Sequence, residues 1–274
     1  MRNYRILAFA AVVAVRTFGA PASLPAQMAA PTGAPVEAPD SLGGSDSVRS
    51  AAVDAMERQP GRPAEFRWYH AGATLGGIAL ASLLDESLRD RLQAHRNGGK
   101  DDVAAVFRRM GQVEVFGTVG LGTIAVGLIS GNPRIRRAGE RISAGLLLAG
   151  TLGVLTKEVV GRRRPDLTGG PYQFKPFSGR DAWPSGHTTM AFALAASVSD
   201  EIHSTPVTIG LYSAAALTGW SRLNDNRHWL SDVLGGAALG ITSAKLMNGH
   251  WRVFGVGAPR FLLEPGSVGL SLQF

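Results

Sequence analysis

Six apolar runs rich in alanine, glycine and leucine, at residues 68–84, 113–130, 139–160, 188–199, 207–220 and 233–247, constrain this chain more than any other feature of it. Charged connections separate them, and nothing before residue 250 keeps the strict apolar/polar alternation of a half-buried strand. Such runs fold as helices, and their small residues let helix axes approach closely. The fold expected is all-α, a bundle of about six helices. The pattern changes only at the end. "VGLSLQF", residues 268–274, alternates Val268, Leu270, Leu272 and Phe274 with small or polar residues, and "RFLLEPGS" precedes it. This predicts a short C-terminal β-hairpin packed on the bundle, because one hairpin cannot close a barrel.

Residues 1–26 have the layout of a secretory signal. Arg2 and Arg5 give a positive start, Ile6 to Val15 a ten-residue apolar stretch, and Ala22 or Ala26 a small residue before a cleavage point. An uncleaved anchor is the alternative, given Arg16 so close behind the apolar stretch. Residues 27–65, rich in Ala, Pro, Gly, Ser and Asp, offer little to bury and read as a disordered linker. The helical domain is expected over 66–250 and a separate tail over 251–274. The chain is thus expected to be exported, to the periplasm or cell envelope.

Whether the helices cross a membrane is left open by the pattern. None of the runs reaches 18 uninterrupted apolar residues, and shorter runs are more often buried core helices. The Gly/Ala-rich helices nonetheless suit association with a membrane. The formal net charge of +7, three charges smaller without Arg2, Arg5 and Arg16, suits an anionic substrate or an anionic lipid surface. No basic stripe interleaved with aromatics points to nucleic acid. The absence of cysteine rules out disulfides, thiolate metal sites, a cysteine nucleophile and a lipidated cysteine.

Three polar clusters stand at the borders of the apolar runs. In "KEVVGRRRP", Lys157 and Arg164 are two helical turns apart, so a continuing helix shows both on one face. Pro165 ends that helix near Arg164. In "PSGH", Ser185 is placed to cap the next helix, Gly186 lets its backbone approach a ligand, and His187 stands at the rim. The free amides of that helix start favour an anion. In "SRLNDNRHWLSDVLGG", Arg222 precedes His228 and Asp232, four apart. On a helix the carboxylate can accept from one ring nitrogen and leave the other as a nucleophile. Each cluster alone reads equally well as a solvated basic patch, a capped helix or a surface pair. Together they supply cations, backbone donors and two histidines of which one has a carboxylate, the ingredients of phosphoryl transfer, with the cations taking the place a metal would otherwise fill.

Lys157-x6-Arg164-Pro165, Pro184-Ser185-Gly186-His187 and Ser221-Arg222-x5-His228-x3-Asp232 resemble the three-part signature of the type 2 phosphatidic acid phosphatase and vanadium haloperoxidase superfamily. The motifs occupy residues 157–232, and the helical pattern extends the likeness to about 70–247. The resemblance implies a phosphatase domain over 66–250 that needs no metal or cofactor. It implies His228 as the nucleophile that becomes phosphohistidine, Asp232 as its orienting partner, and His187 as the group that protonates the leaving oxygen and then activates water. Lys157, Arg164, Arg222, Ser185 and Gly186 would hold the phosphoryl oxygens.

The expected substrate is a phosphorylated lipid, phosphate or diphosphate, at a site facing the periplasm or exterior. A broad-specificity soluble acid phosphatase acting on small phosphate esters is the alternative. A vanadate-dependent haloperoxidase and an anion-binding bundle without turnover are two further readings. Outside the motifs, Asp85, Glu86 and Glu114 read as structural, with lining a site as the alternative, Arg162 and Arg163 as additions to the positive field that do not touch phosphate, and Trp183 and Trp229 as packing residues, with a substrate wall as the alternative.

Overall fold

The computed structural model describes residues 63–258, 260–264 and 267–271; the expected signal segment and nearly all of the expected linker lie outside them. Among the described residues the chain forms eight helices: α1 (Trp68–Ser82), α2 (Asp85–Ala94), α3 (Gly98–Met110), α4 (Val113–Ile129), α5 (Pro133–Val160), α6 (Gly186–Ile202), α7 (Thr205–Asn224) and α8 (Leu230–Met247). Each of the six apolar runs is one of these. The two additional helices, α2 and α3, come from the charged connection 85–112, whose apolar residues are too few to make a run. Local chemistry starts several helices. Asn97 accepts from the Lys100 amide at the head of α3, and Asn132 accepts from Arg134 and Ile135 at the head of α5, behind which Pro133 takes the first turn.

Helices α5, α6 and α8 pack on one another and form the centre; α4 lies on α5, α7 on α6, α3 on α7 and α1 on α8. Small side chains fill that centre. Ala149 and Ala193 are fully buried between Ile142, Leu146 and Phe116. Gly145 would bring a Cβ within 3.0 Å of Ser197 Oγ, and Gly236 one within 2.7 Å of the Ser185 carbonyl. The helices are therefore as close as backbone allows, which fixes α6 and α8 relative to each other where their N-termini carry the polar motifs.

Large apolar side chains point the other way. Leu121, Leu147 and Ile129 on α4 and α5 are 66%, 72% and 88% exposed, and α1 has no buried residue. By length and composition α5 is long and apolar enough to cross a membrane, as are α3 and α4 taken together, bent by 40° between them. Little more than a quarter of the apolar window of α5 is buried.

Four short strands complete the described residues. β1 (Ala64–Phe66) pairs in parallel with β2 (Trp251–Val253), Ala64 beside Trp251. β1 begins within the segment that composition assigned to the linker. Phe66 stacks on Trp251, with ring centroids 5.3 Å apart. β3 (Arg260–Glu264) pairs antiparallel with β4 (Ser267–Ser271), the hairpin that the alternating tail predicted.

Candidate active site

The three motifs converge on the N-terminal ends of α6 and α8. The first departs from expectation in its geometry. α5 ends at Val160, four residues before Arg164, because Gly161 takes a left-handed conformation (φ 58°, ψ 42°) and a side chain there would run into the Lys175 carbonyl. Lys157 therefore lies in the last turn of α5, whereas Arg164 lies beyond the helix, so the two do not share a helix face. They meet at Asp181 instead. Lys157 Nζ donates to the Asp181 carbonyl, and Arg164 donates from Nε and Nη2 to the carboxylate at 2.7 and 2.5 Å.

The second motif opens α6. Ser185 sits at the capping position, but its side chain caps nothing; Oγ is buried and accepts from Thr188 Oγ1 at 2.9 Å. The amides of Gly186, His187 and Thr188 head the helix, and the first intrahelical bond is Thr189 N to Ser185 O at 2.9 Å. Lys157 passes alongside, its Cε 3.8 Å from where a Cβ on Gly186 would be. His187 is half-buried. Burial first, then Arg222, His228, Lys157 and Arg108, bring its pKa from the ordinary 6.5 down to about 4.

The third motif is not one helix. α7 ends at Asn224, His228 stands in the connection, and α8 begins at Leu230. Asp232 still reaches His228, because its carboxylate folds back over the start of α8. Asp232 Oδ2 accepts from the Trp229 amide at 2.8 Å and lies 3.5 Å from His228 Nδ1. The shorter contact of Nδ1 is to the Ala182 carbonyl, at 2.7 Å. The backbone, with Asp232 beside it, thus holds the Nδ1 proton, and Nε2 keeps its lone pair. Burial lowers the His228 pKa against the pull of Asp232. Arg222, in the last turn of α7, is 6% exposed; Nη1 donates to Asp225 at 3.0 Å, while Nε is buried with no partner.

Sequence reading missed several residues here. Asp181 occupies Arg164. Arg108, from α3, donates to the same Asp225 oxygen as Arg222, at 2.8 Å. Gly111 touches His187: a Cβ on it would lie 2.8 Å from the His187 Cβ. Arg162 does not add to an outward positive field. It is 2% exposed and bound between two carboxylates, Asp232 Oδ1 at 2.6 Å and Asp85 Oδ2 at 2.7 Å. No periodicity marks these residues, since each acts through a partner far away in the chain.

Two histidines, three cations from three segments and an uncapped helix start therefore face one another, an arrangement suited to an anion with several oxygens. The family model of the PAP2 superfamily matches residues 141–252 and takes in all three motifs. Over this segment, which is less than half of its length, the chain is similar to that superfamily. A lipid A 1-phosphatase of Porphyromonas gingivalis is 39% identical over 109 residues, which are 39% of this chain and 22% of that protein. The chain thus matches about a fifth of the length of this curated relative. Among solved structures, the first transmembrane PAP2 type phosphatidylglycerolphosphate phosphatase from Bacillus subtilis aligns with a TM-score of 0.51 at 20% identity, over 65% of this chain and 93% of that one. Aquifex aeolicus LpxE aligns with a TM-score of 0.48 at 19% identity, over 60% and 94%.

Proposed function

We propose that the chain is a phosphatase of phosphorylated lipids that works through a phosphohistidine on His228. The observation that carries this is the buried, unpartnered Nε of Arg222, set among the same charges that act on His187 and His228. A buried guanidinium donor left open is costly unless a ligand fills it, and an oxyanion is the ligand it fits.

In this reading Lys157, Arg164, Arg222 and the amides at the head of α6 hold the phosphoryl oxygens. Nε2 of His228 attacks phosphorus as the bond to the leaving oxygen breaks. The His187 imidazolium gives that oxygen its proton. Neutral His187 then takes a proton from water, the hydroxide oxygen bonds to phosphorus, the P–Nε2 bond breaks, and inorganic phosphate leaves. The positive charge in each step comes from side chains, so turnover should persist in a chelator.

A lipid substrate is favoured by the exposed apolar faces of α1, α4 and α5, which suit a protein working at a membrane. The names of the relatives, a lipid A 1-phosphatase and a phosphatidylglycerolphosphate phosphatase, point the same way. Residues 1–26, read as a signal, would put the site on the periplasmic or outer side. The test is phosphate release from an aryl phosphate and from a short-chain phosphatidate, with chelator present and His228→Ala alongside. Turnover on both, faster on phosphatidate and at background in the variant, is expected. Turnover in His228→Ala overturns the nucleophile assignment, and faster release from the aryl ester overturns the lipid one.

A further inference from the structure

We propose that Asp85 and Arg162 are positioning residues of this site: a buried Asp85–Arg162–Asp232 bridge, closed by Ser231, that sets the carboxylate beside His228. The role given to Asp232 rests on the phosphohistidine reading; the bridge itself does not.

Every polar atom of the assembly is accounted for. Arg162 Nη1 donates to Asp232 Oδ1 and to Ser231 Oγ, each at 2.6 Å, and Nη2 to Asp85 Oδ2 at 2.7 Å. Ser231 Oγ donates to Asp85 Oδ2 at 2.6 Å, and the Ser231 amide to Asp85 Oδ1 at 2.9 Å. Arg162 Nε donates to the Pro171 carbonyl at 2.9 Å, and the guanidinium lies 5.6 and 5.8 Å from the Phe174 and Trp229 ring centroids. Asp85, Arg162, Ser231 and Asp232 are each at most 2% exposed.

The consequence for the reacting groups is geometric. With Oδ1 of Asp232 pinned by Arg162, Oδ2 is the oxygen left for the Trp229 amide and for His228 Nδ1. The Arg162 backbone carbonyl also accepts from the Ala182 amide at 3.1 Å, and the Ala182 carbonyl accepts the hydrogen bond from His228 Nδ1 at 2.7 Å. Arg162 therefore fixes both oxygens that orient the ring. Asp85, at the start of α2, holds the guanidinium from the far side and ties down the first turn of α8. Asp85 also lies outside the segment 141–252 matched by the superfamily model. Charges buried only to join helices are a poor choice, since apolar side chains join them at less desolvation cost. Buried around a carboxylate that must point one way, they have a use.

The test compares Asp85→Asn, Arg162→Gln and the milder Ser231→Ala with Asp200→Asn, which breaks a partly buried pair with Lys245 near the other end of α6. Aryl phosphate turnover is measured per folded molecule, beside melting temperature and ¹⁵N-imidazole NMR of His228. The bridge variants should lose kcat by up to about 100-fold with KM little changed. They should also alter the His228 tautomer signals. Asp200→Asn should melt lower with kcat and tautomer unchanged. If the bridge variants lose melting temperature alone, the role is structural and the proposal fails. If Asp85→Asn or Arg162→Gln does not fold, Ser231→Ala decides by the same two readouts. A wild-type chain without turnover overturns the phosphatase reading, and the NMR signals then decide the bridge separately.

Discussion

At the scale of single residues, the two histidines sit in a field set by burial and cations. His187 has a pKa of about 4 and His228 is also below the ordinary histidine value, so both rings are neutral near pH 7 before substrate binds. Neutrality suits the nucleophile but leaves the proton donor without its proton. A phosphate dianion among Lys157, Arg164 and Arg222 reverses the sign of that field and raises the His187 pKa. Since kcat/KM reports the free enzyme and kcat the complex, kcat/KM should fall as pH rises beyond about 4, while kcat holds to higher pH. Profiles of both parameters check this, and a flat kcat/KM to pH 7 contradicts it. The motif residues were legible because each is a reactive type at a helix border with fixed spacing. Asp181, Asp85 and Arg162 were not, because a carboxylate or guanidinium in the sequence carries no mark of the distant group it meets.

Among the elements, the runs marked the six apolar helices well, because alanine, glycine and leucine at length allow little else. Their ends were less legible. Pro165 drew the expected end of α5 toward Arg164, whereas the left-handed Gly161 ends it earlier, so lysine and arginine of one motif reach the site by different routes. Helices α2 and α3 were hidden in charge, yet they bring Asp85, Arg108 and Gly111 to the site. The break between α3 and α4 seats Gly111 against His187 with no room for a methyl group. Gly111→Ala should push the imidazole off its position and cost about 1–3 kcal/mol by overpacking. Assays should show kcat falling well beyond what the drop in melting temperature explains. A variant with normal kcat would mean that the ring moves without consequence.

Over the molecule as a whole, burial is arranged unlike that of a helix bundle in water. The centre is mostly alanine, glycine, serine and threonine around Ile142, Leu146 and Phe116, while many leucines of α1, α4 and α5, and Ile129, lie outside. Composition showed the small residues but could not show which face they take, since α4 is apolar around its whole circumference. On this arrangement the chain should stay with membranes after osmotic shock and high salt and leave them in detergent. Release by osmotic shock alone would contradict the membrane association.

The parallel pairing of β1 with β2 has a mechanical consequence. It joins the first described strand to the one that follows α8, so the whole helical bundle is a loop closed at its base. Tension applied to the chain on both sides of the domain meets this strand pair before any helix. In a parallel pair the two flanks leave from opposite ends of the ladder, so the hydrogen bonds are sheared together rather than opened one after another. The helices that carry the site are thereby shielded from a pull on either tether.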